Sequence, residues 1–102
     1  MGAEQFKMMK KTAYLINTSR GELVNEKDLL LCLKNDTLTG AAIDVVSNEF
    51  DNRFRSNPIA NDLVKYSLKN NNLIITPHMA GLTFESEKKA FMISVNNIIN
   101  YF

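Results

Sequence analysis

Short apolar runs alternate with amphipathic stretches along the whole chain. Residues 13–17, AYLIN, form a short apolar run between polar flanks and predict a buried strand. Residues 40–46, GAAIDVV, predict a second strand of small and branched residues, and residues 73–76 a third, stopped by Pro77. Helices are expected between them. Residues 3–9 read as a short amphipathic helix. Residues 25–34 form another, with Asn25 as its cap and Glu26 and Asp28 in the first turn, where carboxylates suit the positive end of the dipole. Leu29, Leu30 and Leu33 give its apolar stripe, and Lys34 sits at the negative end. Residues 47–57 read as polar and irregular, and 59–68 as a third helix. Residues 83–102 form the last one, with Phe91, Met92, Val95, Ile98, Ile99 and Phe102 as its stripe.

The order is α-β-α-β-α-β-α. Apolar strands separated by helices predict an α/β fold with a parallel sheet of about three strands, covered by helices on both faces. Ligands of such sheets bind beyond the carboxyl ends of the strands. The polar residues at those ends are therefore the candidates for chemistry.

Composition narrows the choices. At 102 residues the chain is one small domain at most, and its 45% hydrophobic and 23% charged residues are ordinary for a globular protein. A net charge of +1 gives no electrostatic case for nucleic acid or an anionic membrane. Cys32 is the only cysteine, so there is no intrachain disulfide and no metal cluster to build around it, which suits a reducing cytosol. The N-terminal stretch mixes Glu4, Lys7, Lys10 and Lys11 with apolar residues, unlike a signal peptide. No apolar run approaches the roughly 20 residues of a membrane span.

Three strand ends carry four unusual residues. The first runs into Asn17-Thr18-Ser19-Arg20-Gly21, the second ends at Asp44 with Glu49 beyond it, and the third ends at Pro77-His78. Each has a plain reading. Arg20 alone is a solvated loop cation, and Gly21 marks a turn needing positive φ. Asp44 caps a loop, Glu49 is a surface carboxylate, and His78 is an ordinary satisfied histidine. Together they suit chemistry on a small 2-oxo or 2-hydroxy acid. Arginine offers a planar, permanently charged fork for a carboxylate. Histidine moves a proton near neutral pH, and a carboxylate behind it orients the ring.

The segments LINTSRG, GAAIDVV with Glu49 after it, and IITPHMAG resemble, in order and spacing, the C-terminal half of the nucleotide-binding domain of the D-isomer-specific 2-hydroxyacid dehydrogenases. That family includes D-lactate and D-3-phosphoglycerate dehydrogenases. The resemblance spans nearly the whole chain, residues 1–102, and implies part of a Rossmann-like doubly wound sheet. It implies that Arg20 binds the substrate carboxylate and carbonyl, that His78 is the acid/base, and that Glu49 hydrogen-bonds His78. It places Asp44 near the nicotinamide carboxamide and Thr18, Ser19 and Gly81 along the cofactor's path. It also implies NAD as cofactor, a cytoplasmic location and a homodimer. Glu49-Phe50 stands where the family often has Glu-Pro, Ala80 where glycine is frequent, and the loop after Phe50 is longer than the commonest version.

Other parts of the family's pattern are missing. The four glycines, Gly2, Gly21, Gly40 and Gly81, cannot form the G-x-G-x-x-G turn that cradles a pyrophosphate. The acidic residue expected after that turn is missing too, so NAD and NADP both remain open. So is the substrate domain. The chain reads as a fragment of an oxidoreductase that transfers a hydride between nicotinamide and a small D-2-hydroxy or 2-oxo acid, inactive and weak in cofactor binding alone. Two alternatives stand beside it: a non-catalytic α/β module whose strand-end edge binds a small anion or a protein partner, and a structural fold with relic site residues. A bare edge on the first strand predicts self-association.

Overall fold

The computed structural model describes residues 1–101. Helix α1 (Ala3–Lys7) precedes strand β1 (Tyr14–Asn17). A 3₁₀ turn over Gly21–Leu23 leads into α2 (Glu26–Lys34), followed by β2 (Gly40–Ile43). Next come α3 (Asn52–Ser56), a 3₁₀ turn over Pro58–Ala60, α4 (Asp62–Ser67), β3 (Leu73–Ile75) and α5 (Phe84–Tyr101). Phe102, the last residue of the expected stripe, lies outside the described residues.

Local chemistry explains the boundaries. Asn25 caps α2, its Oδ1 accepting from the amides of Lys27 and Asp28 at 3.1 and 3.2 Å. The stretch 47–57, expected to be irregular, contains α3, because the Asp51 carboxylate accepts from the Arg53 amide at 2.7 Å and starts a turn. The single helix expected over 59–68 is divided. Pro58 opens the 3₁₀ turn, and Asn61 then caps a separate α4 through the amides of Leu63 and Val64.

The three strands are parallel in the order β1-β2-β3. Their register sorts the side chains by row. Leu15, Ala41 and Leu73 are partners, as are Asn17, Ile43 and Ile75; both rows face the core formed with Phe6, Leu29, Leu33 and Leu63. The intervening row of Ile16, Ala42 and Ile74 faces the other way, and Ile16 and Ile74 are exposed, as is Tyr14 beside them. The expectation of helices on both faces is thus corrected: among the described residues one face is covered. Right-handed crossovers that step in one direction place α2 and α4 on the same side of the sheet, and covering the second face takes a reversal of strand order.

No residue of α5 is buried; Phe91, Met92, Ile98 and Ile99 are exposed and Val95 is half-buried. The radius of gyration of 16.6 Å exceeds the roughly 13 Å of a compact chain this long. Among the described residues no helix is long and apolar enough to cross a membrane, and no group of histidine, cysteine and acidic side chains could hold a metal ion.

Candidate functional site

The three strands finish level. Asn17, Ile43 and Ile75 form the last row, and the ladder continues one step past it, with the Asp44 amide donating to Asn17 O at 2.9 Å and the Thr76 amide to Ile43 O at 3.0 Å. The loops carrying Arg20, Asp44 with Glu49, and His78 therefore leave from one edge.

The first loop is shaped by Asn17. Its side chain is buried, with Oδ1 accepting from the Ser19 amide at 3.1 Å and Nδ2 donating to Arg20 O at 2.8 Å. Thr18, Ser19 and Arg20 project from this loop and are exposed. The Arg20 guanidinium donates one bond, from Nη1 to Ser19 O at 2.7 Å, and has no ion-pair partner among the described residues. A guanidinium carries five N–H donors, so most of the fork is free for an anion.

Gly21 follows for a reason other than the one expected. Its φ is not positive. A Cβ there would lie 2.3 Å from both Ser47 N and Val46 C, so glycine is required by close approach of this loop to the backbone after β2. The contact is tied down by carboxylates. Glu26 Oε1 accepts from the Ser47 amide at 2.6 Å while its Oε2 accepts from Asn61 Nδ2 at 3.0 Å. Glu22 accepts from the Asn48 amide at 3.3 Å; its own backbone bond first, then the Asn48 amide, hold its carboxyl below the usual value.

Glu49 reaches back over the β2 edge. Its Oε2 accepts from the Val46 amide at 3.1 Å, and its Oε1 is hydrogen-bonded to His78 Nδ1. An ionised carboxylate only accepts, so Nδ1 carries the donated hydrogen and Nε2 is left for a reacting group. The His78 side chain is 35% exposed against 16% for Glu49, so the imidazole stands at the surface on a more buried support. Phe50 lies against the ring, with centroids 5.8 Å apart.

His78 itself sits at φ 52, in the left-handed region that a non-glycine residue enters rarely. Such a residue costs about 1–3 kcal/mol and persists where its surroundings fix it. The fixing groups are visible. The His78 amide donates to Thr76 O at 3.0 Å across Pro77, and the Asp44 carboxylate gathers the residues on both sides. Asp44, 4% exposed, accepts from the Thr76 hydroxyl, from the Met79 amide at 2.9 Å and from the Ala80 amide at 2.7 Å. The Thr76 bond, then those from Ala80 and Met79, lower the Asp44 carboxyl below its usual value against the opposing effect of burial.

The uncovered face of the sheet opens beside this turn as a small cleft of about 140 Å³, lined by Ile16, Thr18, Asp44, Thr76, Met79 and Ala80 among others. Gly81 borders open space, since a Cβ there would meet nothing within 4 Å.

The structure thus brings Glu49 and His78 into direct contact, places Asp44 beneath the His78 turn, and leaves Arg20 as an exposed cation on the same edge. Sequence reasoning missed Asn17 and Thr76. Each is a polar residue closing an apolar strand, and that position was the available signal.

Comparison with known proteins gives the family of the chain. Residues 1–80 match the family model described as D-isomer specific 2-hydroxyacid dehydrogenase, NAD binding domain. A Staphylococcus aureus (strain MRSA252) protein assigned to the 2-hydroxyacid dehydrogenases is 44% identical over 97 residues, covering 95% of this chain and 27% of the relative. The NAD-complexed D-isomer specific 2-hydroxyacid dehydrogenase of Lactobacillus delbrueckii ssp. bulgaricus superposes with a TM-score of 0.76 at 33% identity, covering 98% of this chain and 32% of that one. D-lactate dehydrogenase of Lactobacillus jensenii with NAD+ gives 0.76 at 32% identity, over 97% of this chain and 31% of that one. The chain spans about a quarter to a third of the length of these relatives.

Proposed function

The chain belongs to the D-isomer specific 2-hydroxyacid dehydrogenases, in their NAD-binding domain, and on that footing we propose that it carries the nicotinamide side and the acid/base of an enzyme interconverting a small 2-oxo acid and its D-2-hydroxy acid. The single observation that carries the reading is the Glu49–His78 contact: a ring held at Nδ1 on the edge where parallel sheets bind ligands, with an unpaired arginine fork on the same edge.

The residues divide the work. His78 Nε2 gives a proton to the carbonyl oxygen in reduction and takes it back in oxidation. Glu49 keeps the ring turned so that Nε2 faces outward. Arg20 receives the substrate carboxylate in its fork and fixes the carbonyl's orientation. Thr18 and Asp44 line the cleft that would take the nicotinamide end of NAD or NADP, and Ser19 and Gly81, next in sequence to the lining residues Thr18 and Ala80, are assigned to the same cofactor path. That ring, when bound, supplies or accepts the hydride. The open cleft and the unobstructed Gly81 suit a flat ring. No glycine-rich turn is present for the pyrophosphate, so cofactor binding by this chain alone is weak and turnover by it absent. The uncovered sheet face and the bare edge of β1 favour self-association of this chain by itself, a homo-oligomer of the whole enzyme is the expectation the family carries, and the single half-buried Cys32 suits the cytoplasm.

The test is NADH oxidation with a panel of small 2-oxo acids, using the enzyme that contains this chain. His78→Ala is expected to lower turnover by ~10²–10⁴-fold with cofactor affinity largely kept. A loss below about tenfold would count against the assignment.

A further inference from the structure

We propose that Asp44 is the positioning residue for His78, holding the Thr76–Ala80 turn from below so that the imidazole meets Glu49. The proposal rests on the reading of His78 as the acid/base and adds to it what keeps the ring in place.

The geometry is specific. Asp44 lies one residue past the end of β2, at the centre of the sheet, and is buried. One carboxylate oxygen accepts from the Thr76 hydroxyl and the Met79 amide, and the other accepts from the Ala80 amide. Those three donors bracket His78 on both sides. Between them the chain is forced through Pro77 and through the left-handed conformation of His78. Without a partner, the Met79 and Ala80 amides would have every reason to turn toward solvent, and the turn would relax to an ordinary φ. His78 is then fixed at two points: Glu49 holds the ring, and Asp44 holds the backbone that carries it.

A carboxylate is needed for this arrangement. The two backbone donors address different oxygens, and an asparagine of the same shape offers one oxygen and would turn an NH₂ group against the other donor. Threonine at 76 is needed for its hydroxyl, which serine could supply and valine could not.

The experiment is NMR on the 102-residue chain and on its Asp44→Asn, Thr76→Val and Thr76→Ser variants, following hydrogen exchange at the Met79 and Ala80 amides and the His78 ring nitrogen shifts. In Asp44→Asn, exchange at one or both amides should speed by roughly tenfold or more, as for a lost hydrogen bond. The His78 ring signals should move toward those of an unrestrained histidine. Thr76→Val should move the same signals less, and Thr76→Ser should restore them. A folded Asp44→Asn chain with wild-type exchange and unmoved His78 signals would overturn the proposal. Should Asp44→Asn fail to fold, the threonine pair decides: Thr76→Val without effect on those signals overturns it, and an effect rescued by Thr76→Ser supports it. In the whole enzyme, Asp44→Asn should lower kcat, beyond any rise in KM for NADH that follows from its place beside the nicotinamide cleft. A raised KM with unchanged kcat would leave Asp44 a cofactor contact alone and overturn the positioning role. Failure of the dehydrogenase reading would appear as His78→Ala keeping its turnover, and it would leave the exchange results on the isolated chain standing.

Discussion

Glu49 binds His78 through Nδ1 across 29 positions of sequence, and spends its other oxygen on the Val46 amide. Neither oxygen can swing away without losing a partner, so the pair favours one orientation of the imidazole. Glu49→Gln keeps the shape but can turn an NH₂ group toward Nδ1 or Val46 N. On the dehydrogenase reading, kcat should fall on the order of 10²-fold, within the range that acid/base help contributes, with KM changing little. Steady-state kinetics of the whole enzyme at saturating NADH measures this; equal kcat would show that the ring needs no carboxylate.

Arg20 offers a fork that is free apart from one bond to Ser19 O. Lysine would keep the charge and lose the two parallel donors. On the proposed role of Arg20 as the substrate clamp, Arg20→Lys in the whole enzyme is expected to raise KM for the 2-oxo acid by ~10-fold or more, the cost of one charge-assisted bond, and to lower kcat as the carbonyl loses its alignment. Unchanged KM and kcat would refute the clamp.

Gly21 touches the backbone of Val46 and Ser47 too closely for any side chain. Gly21→Ala must push the Arg20 loop away from the end of β2, at a cost of about 1–3 kcal/mol. For a domain this size each kcal/mol is worth ~4–8 °C, so thermal denaturation of the chain should show a clear drop in Tm. Gly81→Ala, with open space around it, should leave Tm unchanged.

The Asp44 carboxyl is depressed in the folded chain by its three donors. A group whose pKa is lower folded than unfolded adds stability that is whole above the unfolded value, about 3.9. That contribution shrinks as pH falls below it and is gone once pH passes below the folded value. Protonation at Asp44 should therefore loosen the His78 turn below about pH 4, with no loss between pH 5 and 7. Exchange at the Met79 and Ala80 amides against pH, corrected for intrinsic rates, should show the onset there; a flat corrected profile down to pH 2.5 would contradict it.

Tyr14, Ile16 and Ile74 on the open sheet face, and Phe91, Ile98 and Ile99 on α5, are all more than half exposed. A chain carrying two apolar surfaces of this kind should self-associate. Light scattering after size exclusion is expected to give at least a dimer, and a monodisperse monomer at high micromolar concentration would sink the oligomer.

Much of this was legible in the sequence because the strands are short, apolar and stopped by polar residues. The candidate residues follow those stops in the loops beyond, so reading the strand ends was enough to single out Arg20, Asp44, Glu49 and His78, which the fold gathers on one edge. Long-range partnerships were harder to see. Nothing local in Thr76 says that its hydroxyl meets a carboxylate 32 positions earlier. The requirement for glycine at 21 was misread as conformational because a close approach between two loops leaves no trace in either one. Helix α3 was hidden because one cap, Asp51, outweighs a polar composition over so few residues. The bare sheet face followed from winding direction, which hydrophobic periodicity does not encode.

The level finish of the strands at Asn17, Ile43 and Ile75 divides the chain into parts that must keep their place and parts that need not. Three loops start from a common rim, and each is anchored near its root by its own contacts: Asn17 for the first, Glu26 for the second, Asp44 for the third. Beyond those anchors the chain is free to lengthen. Residues 51–60 lie outside those anchors, so changes there can be absorbed while the three loop roots keep their contacts.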